Sequence, residues 1–249
     1  MYYQTRSQLS QNDFEFIAQT LGKSPEEQSA LLQLSNDPFT LTELLHDSRL
    51  FERAMTKPPI ILTLSHSLFF YIVTYHALKQ KDMAEDDVVD YVAGICVEFR
   101  TSQTLWQLAA QRGERTIYIV DLLNLMNGLD KAQQYHLRRY IGNVALFLTG
   151  FFPDFVFQRN KTMGAPSITY YEKIGSAQFE TAASQALDHD ENTAPVLNTL
   201  SERFVEIRSA LNIFTDHHLN LNARKHSIEM IERQAATLDE ESFQQSLDM

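Results

Sequence analysis

The stretch YIGNVALFLTGFFPDFVF, residues 140–157, decides the fold. Read as a helix, it is apolar on every side, and such a helix is buried inside a protein rather than laid on its surface. Gly150 and Pro153 interrupt the stretch, so we expect the helix to break there. The rest of the chain should therefore wrap around a central helix that covers residues 130–150.

Helix start and stop signals recur outward from this stretch, whereas strand signals are almost absent. Ser24 begins one helix, Thr40 and Glu43 form the capping box of a second, and a proline pair fits the first turn of an apolar helix over 58–78. The sequence therefore predicts an all-α fold, a compact multi-helix bundle-like domain built around helices 58–78 and 130–150.

The C-terminal part carries the most regular pattern in the sequence. Seven apolar residues and one histidine follow one another at alternating steps of three and four residues: Leu197, Leu200, Phe204, Ile207, Leu211, Phe214, His218 and Leu221. Such a heptad seam packs against another helix of the same chain or against a second copy. We predict a helical core domain over 1–190 and, over 191–249, a long C-terminal heptad helix with a surface tail, packed on the same domain. Helix 196–221 is the expected contact for a homodimer or a protein partner.

Composition excludes several classes of protein. The 249-residue chain has 32 acidic and 21 basic residues, a net charge of −11, which opposes nucleic-acid binding. Cys96, the sole cysteine, allows neither an internal disulfide nor a cysteine-rich zinc site. The chain opens with MYYQTRSQLSQNDF, which does not resemble a signal peptide. We therefore expect a cytoplasmic protein.

The apolar run 60–78 is either a membrane span or a buried core helix, and its composition distinguishes the two. It contains no Asp, Glu, Lys or Arg over a length that is sufficient to span a bilayer. However, its serines, threonines and histidines are costly when they face lipid. We interpret the run as a buried core helix, and a membrane span is the less favoured alternative.

One local excess of positive charge stands out in this acidic chain. Between residues 131 and 161 there are five cations and one acid, Asp154. With the adjacent loop and two tyrosines, these residues could bind an anionic small molecule or an acidic partner. The predicted ligand-binding residues are Arg138, Arg139, Arg159, Lys161, Tyr170 and Tyr171. The alternative is that the cations are the solvated ends of a buried helix.

A metal or haem site is the second hypothesis. Glu43 and His46 have the Glu-x-x-His spacing that places both side chains on one helical face, as in di-iron bundles. A ferritin-like site needs that motif twice, and it occurs here once. His66, inside the apolar run, and His218, inside the heptad seam, are the remaining candidates for a metal ligand, although a buried histidine more often fixes helix register.

No specific catalytic or nucleotide motif occurs in the sequence. It contains neither a Gly-x-Ser-x-Gly turn nor a glycine-rich phosphate loop. The sequence thus predicts a cytosolic helical protein that acts through protein–protein contacts, with a small hydrophobic or anionic ligand as a further expectation. The alternative is a helical-bundle enzyme that holds a metal or haem, with oxidoreductase-like chemistry. The cofactor and the substrate stay undetermined.

Overall fold

The computed structural model describes residues 5–55, 64–99, 119–186 and 191–216. Every regular element in these ranges is a helix, so the predicted all-α class is confirmed. Twelve α-helices are described in chain order: α1 Gln11–Leu21, α2 Pro25–Leu34, α3 Pro38–Leu45, α4 Ser48–Ala54, α5 His66–Lys79, α6 Asp86–Phe99, α7 Ile119–Asn124, α8 Lys131–Phe151, α9 Pro153–Met163, α10 Ile168–Ala186, α11 Ala194–Glu202 and α12 Phe204–Phe214. Short 3₁₀ helices lie at Thr5–Gln8 and Glu191–Thr193.

The chain divides into two compact units, Met1–Val97 and Glu98–Met249. The first unit contains α1 to α5 and most of α6, and its buried side chains come mainly from α1, α5 and α6. The second unit contains α7 to α12. The predicted domain boundary near residue 190 lies inside the second unit and stays a prediction.

Helix α8 is the centre of the second unit, as the all-round apolar sequence of its part from Tyr140 onward predicts. Asp130 is the N-cap residue: its carboxylate accepts from the backbone N–H of Gln133, whose side chain accepts from the backbone N–H of Asp130. All residues from Ile141 to Phe147 are buried. The helix ends at Phe151, and Pro153 begins α9 after a bend of 98°. The predicted helix over 130–150 and its break are thereby confirmed.

Two glycines allow neighbouring helices to approach α8 and α10 closely. A Cβ atom on Gly142 of α8 would lie 2.6 Å from the ring of Phe179 on α10. A Cβ atom on Gly175 of α10 would lie 2.4 Å from the ring of Phe204 and 2.9 Å from the Cβ of Ala145 on α8. Because no side chain stands at these two positions, the phenylalanine rings occupy the space directly against the helix backbones.

The heptad seam packs against other helices of the same chain. Its members from Leu197 to Phe214 are buried against α8 and α10, which is the first of the two alternatives for such a seam. The long C-terminal helix is not confirmed: the chain breaks at Arg203 into α11 and α12, and residues 217–249, with His218 and Leu221, lie outside the described residues. The apolar spacing survives the break because the N–H of Arg203 still donates to the carbonyl of Thr199.

The apolar helix of the first unit begins later than predicted. Residues 56–63 lie outside the described part, and α5 begins at His66 rather than near residue 58. Ser65 caps it, since its hydroxyl accepts from the N–H of Leu68 while its own N–H donates to buried Asp13. His66, predicted to be buried, is therefore an exposed residue in the first turn.

The helix predicted from the capping box of Thr40 and Glu43 begins earlier than predicted, and a second helix follows it closely. Asp37 caps α3, because its carboxylate accepts from the N–H of Thr40. The chain turns at His46, and Asp47 caps α4 by accepting from the N–H of Arg49. Among the described helices none is long and apolar enough to cross a membrane alone, although α8 and α9, bent against each other, pass that test as a pair.

Candidate functional site

Helix α2 presents apolar side chains that the described part of the first unit leaves wholly or partly exposed. Ser24 begins the helix by accepting from the N–H of Glu27, and Pro25 occupies its first position. None of its ten residues, all of them described, is buried, although Ala30, Leu31, Leu32 and Leu34 lie among them. Leu34 is 53% exposed. A helix with several leucines and no buried residue is unusual, because amphipathic helices normally cover their apolar face.

The placement of α2 follows from the short connection to α1. Gly22 ends α1, and a Cβ atom at this position would lie 2.8 Å from Cγ of Gln28 on α2. The amide of Gln28 donates to the carbonyl of Gly22 at 3.3 Å. The absence of a side chain at Gly22 thus lets α2 lie against the end of α1, and the opposite side of α2 remains open.

An open groove of about 400 Å³ lies beside the exposed side of α2. Its apolar lining comes from three helices: Leu21, Ala30, Leu31, Leu34 and Leu44. Its polar lining residues are Glu27, Glu43, Asp47 and Arg49. The groove is open to solvent, so it can receive side chains of another molecule but does not enclose a whole ligand.

The charges at the groove do not cancel. Arg49 is bound to Asp47, with Nη2 2.6 Å from Oδ2 and Nε 2.9 Å from Oδ1. Glu27 accepts from the backbone N–H of Lys23, which is a neutral donor. Glu43 is exposed on α3. Two carboxylates therefore remain without a partner cation among the groove residues, and the groove favours cationic ligands.

A polar cluster behind α3 holds the end of this helix in place. The ring of His46 is stacked on that of Tyr75 of α5, with centroids 4.0 Å apart, and its Nε2 lies 3.1 Å from Oδ1 of Asp86. Arg6 lies near the same carboxylate, and its guanidinium donates to Asp90 and Thr42 at 3.3 Å and 2.8 Å. His46 directly precedes the groove residue Asp47, so these contacts fix one wall of the groove.

The neutral form of His46 is favoured in the folded protein. Burial lowers the pKa of the imidazole below its usual value, and Asp86 and Glu43, which raise it, do not fully compensate; Lys79 lowers it further. The unfolded chain therefore takes up this proton more readily than the folded chain does. The stability that His46 contributes is present above its ordinary pKa of about 6.5 and decreases as the pH falls below that value.

We expect His46→Phe to make the stability less dependent on pH. Phenylalanine keeps a ring against Tyr75 and removes the titrating group. Urea unfolding at pH 7.5 and at pH 5.5 gives the free energy of unfolding at each pH, and the difference should be smaller in the variant than in the original chain. The matched control is His136→Phe on exposed α8 surface. An unchanged pH difference in His46→Phe contradicts this assignment.

The six residues of the predicted anion site lie on three helices. Arg138 and Arg139 lie on α8, where Arg138 donates to Gln178 of α10 at 2.9 Å and Arg139 is buried, 5.4 Å from the ring centroid of Tyr135. Arg159 lies on α9, 5.2 Å from the ring centroid of Phe155. The remaining three are exposed Lys161 on α9, half-buried Tyr170 and buried Tyr171 on α10. Their role in ligand binding stays a prediction.

The described residues give the metal hypothesis no support. The described residues contain no group of three or more His, Cys, Asp or Glu side chains that could hold a metal ion. Glu43 is exposed, His46 faces Asp86, His66 is exposed at the start of α5, and His218 lies outside the described part. Burial raises the pKa of the Cys96 thiol, so this side chain is a poor nucleophile.

Sequence reasoning missed the groove, although it predicted the helix that forms one side of it. The segment PEEQSALLQL predicts α2 correctly, but its leucines look like those of any helix that covers a core. Leu31 and Leu34 are three residues apart and share a helical face, whereas Leu32 does not, so the sequence carried no clear signal that this face stays open. Compared with protein-family models, curated proteins and solved structures, the chain matches none of them.

Proposed function

We propose that this protein works through protein–protein contacts, and that its first unit binds an apolar, positively charged segment of a partner in the groove beside α2. The observation that carries the proposal is the combination of open leucine side chains with two uncompensated carboxylates at one site. An apolar helix face laid into a hydrophobic groove is a common mode of peptide recognition.

The size of the groove limits what it accepts. About 400 Å³ accommodates a few apolar side chains rather than a whole domain. Binding would remove the exposed surface of Leu34 and its neighbours from water, which contributes about 25 cal/mol for each Å² of apolar surface that is covered. Glu27 and Glu43 would attract lysine or arginine residues on the flanks of the segment. The partner is therefore a short amphipathic segment with leucine-like residues on one face and cations beside them.

A synthetic helical peptide of roughly twelve residues, with leucines on one face and lysines on the other, tests this function. We expect it to bind the full chain, and we expect Leu34→Asp to raise its Kd roughly tenfold or more, because the variant removes apolar contact from the groove. Fluorescence anisotropy of the labelled peptide measures the Kd. Val205→Asp is the control, since Val205 is 50% exposed on α12, far from the groove in sequence.

The charge requirement is tested separately. Replacing both Glu27 and Glu43 by glutamine should raise the Kd by a factor of about two to five for each charge removed, and added salt should have a smaller effect on the variant. Glu180→Gln with Glu202→Gln changes the net charge equally on exposed sites of the second unit. If the groove variants and their controls bind the peptide equally well, the proposed function is wrong.

A further inference from the structure

Helix α9 of the second unit presents a surface of the opposite character to the groove. Phe157 is 55% exposed and Met163 is 66% exposed. Lys161 is also exposed and lies four residues after Phe157, which places the two side chains on the same side of the helix. One side of α9 thus combines a large apolar side chain, Phe157, with a cation, Lys161.

The charge of α9 is positive towards its end. The helix carries Arg159 and Lys161, and its acid, Asp154, lies in the first turn. Burial together with nearby Asp216 raises the pKa of Asp154, so its negative charge is less favoured than that of an ordinary surface carboxylate. The half of α9 that contains Phe157 and Lys161 is accordingly cationic in a chain whose net charge is −11.

From this complementarity we infer that the groove beside α2 receives α9 from a second copy of the chain. The inference rests on the proposed function and names the partner of that site. Phe157 is placed among the leucines of the groove, and Lys161 is placed next to Glu43. Helix α9 has 11 residues and α2 has 10, so both are about 15 Å long and can lie side by side over their full lengths.

The two surfaces of this contact differ, so it is heterologous. The groove of one copy pairs with α9 of the other, whose own groove stays available for another α9. This contact differs from the homodimer predicted through 196–221, whose seam is buried within the chain up to Phe214. Both surfaces are exposed, so the contact needs no unfolding of either unit.

Sedimentation velocity of the full chain over a range of concentrations tests the inference. We expect reversible self-association, weakened roughly tenfold by Phe157→Ser and by either charge reversal, Lys161→Glu or Glu43→Lys. The variant that carries both reversals should regain most of the association, because it restores the pair with its charges exchanged. Lys173→Glu and Glu180→Lys on exposed positions of α10 are the matched controls.

The outcomes separate this inference from the proposed function. A chain that stays monomeric, or that associates equally in all variants, overturns the inference. If such a chain still binds the leucine–lysine peptide and loses it in Leu34→Asp, the groove is a binding site for another protein. In that case the inference is wrong and the proposed function still holds. If the peptide does not bind at all, the proposed function itself is wrong.

Discussion

Gly175→Ala is expected to destabilise the second unit by about 1–3 kcal/mol. At an ordinary exposed helical position the same change stabilises a protein by about 0.5–1 kcal/mol, since alanine is the better helix former. Here the new methyl group would lie 2.4 Å from the ring of Phe204, whose side chain is itself buried, and 2.9 Å from Ala145. Because Phe204 is buried among closely packed side chains, we expect overpacking to outweigh helix propensity.

Urea unfolding followed by circular dichroism measures this effect. Ala177→Gly, on the exposed side of the same helix, is the control and should cost about 0.5–1 kcal/mol. Phe204→Leu replaces the ring that meets the new methyl group with a smaller side chain, so it should cost less in the Gly175→Ala background than in the original chain. A stabilising Gly175→Ala would show that α10 and α12 do not approach each other as closely as described.

Asn212→Leu is expected to destabilise the same unit by about 1–3 kcal/mol. The side-chain amide of Asn212 donates to the carbonyl of Thr149 at 2.8 Å and to that of Gly150. In a continuous helix the N–H of residue 153 would bond to the carbonyl of residue 149, but Pro153 has no N–H. Asn212 of α12 therefore satisfies the carbonyls that the break between α8 and α9 leaves without a helical donor.

The substitution Asn212→Asp separates the two roles of this side chain. Aspartate keeps an oxygen for Arg208, whose Nη1 donates to Oδ1 of Asn212 at 2.7 Å, but it lacks the amide N–H. If the carbonyls matter most, aspartate destabilises nearly as much as leucine. The exposed Asn198→Leu on α11 is the control and should change the free energy of unfolding by less than about 0.5 kcal/mol. Equal effects at 198 and 212 would contradict the assigned role.

The sequence determined the helical class and the central helix. Asp130 is a capping residue and the stretch from Tyr140 is apolar on every side, and these are local properties. The start of α2 was predictable for the same reason, from Ser24 and the proline after it. Helix starts depend on hydrogen bonds over three or four residues, which a sequence shows directly.

Only the tertiary structure decided which faces are covered. The seam at Phe204 and Ile207 fits a second copy as well as it fits the same chain, and in the structure it packs against α8 and α10 of the same chain. Arg138 and Arg139 are neighbours in sequence, yet the first reaches Gln178 and the second is buried. The sequence likewise did not decide whether the leucines of α2 are covered or exposed. Helical periodicity specifies which residues share a face, whereas burial depends on distant segments that meet that face or leave it open.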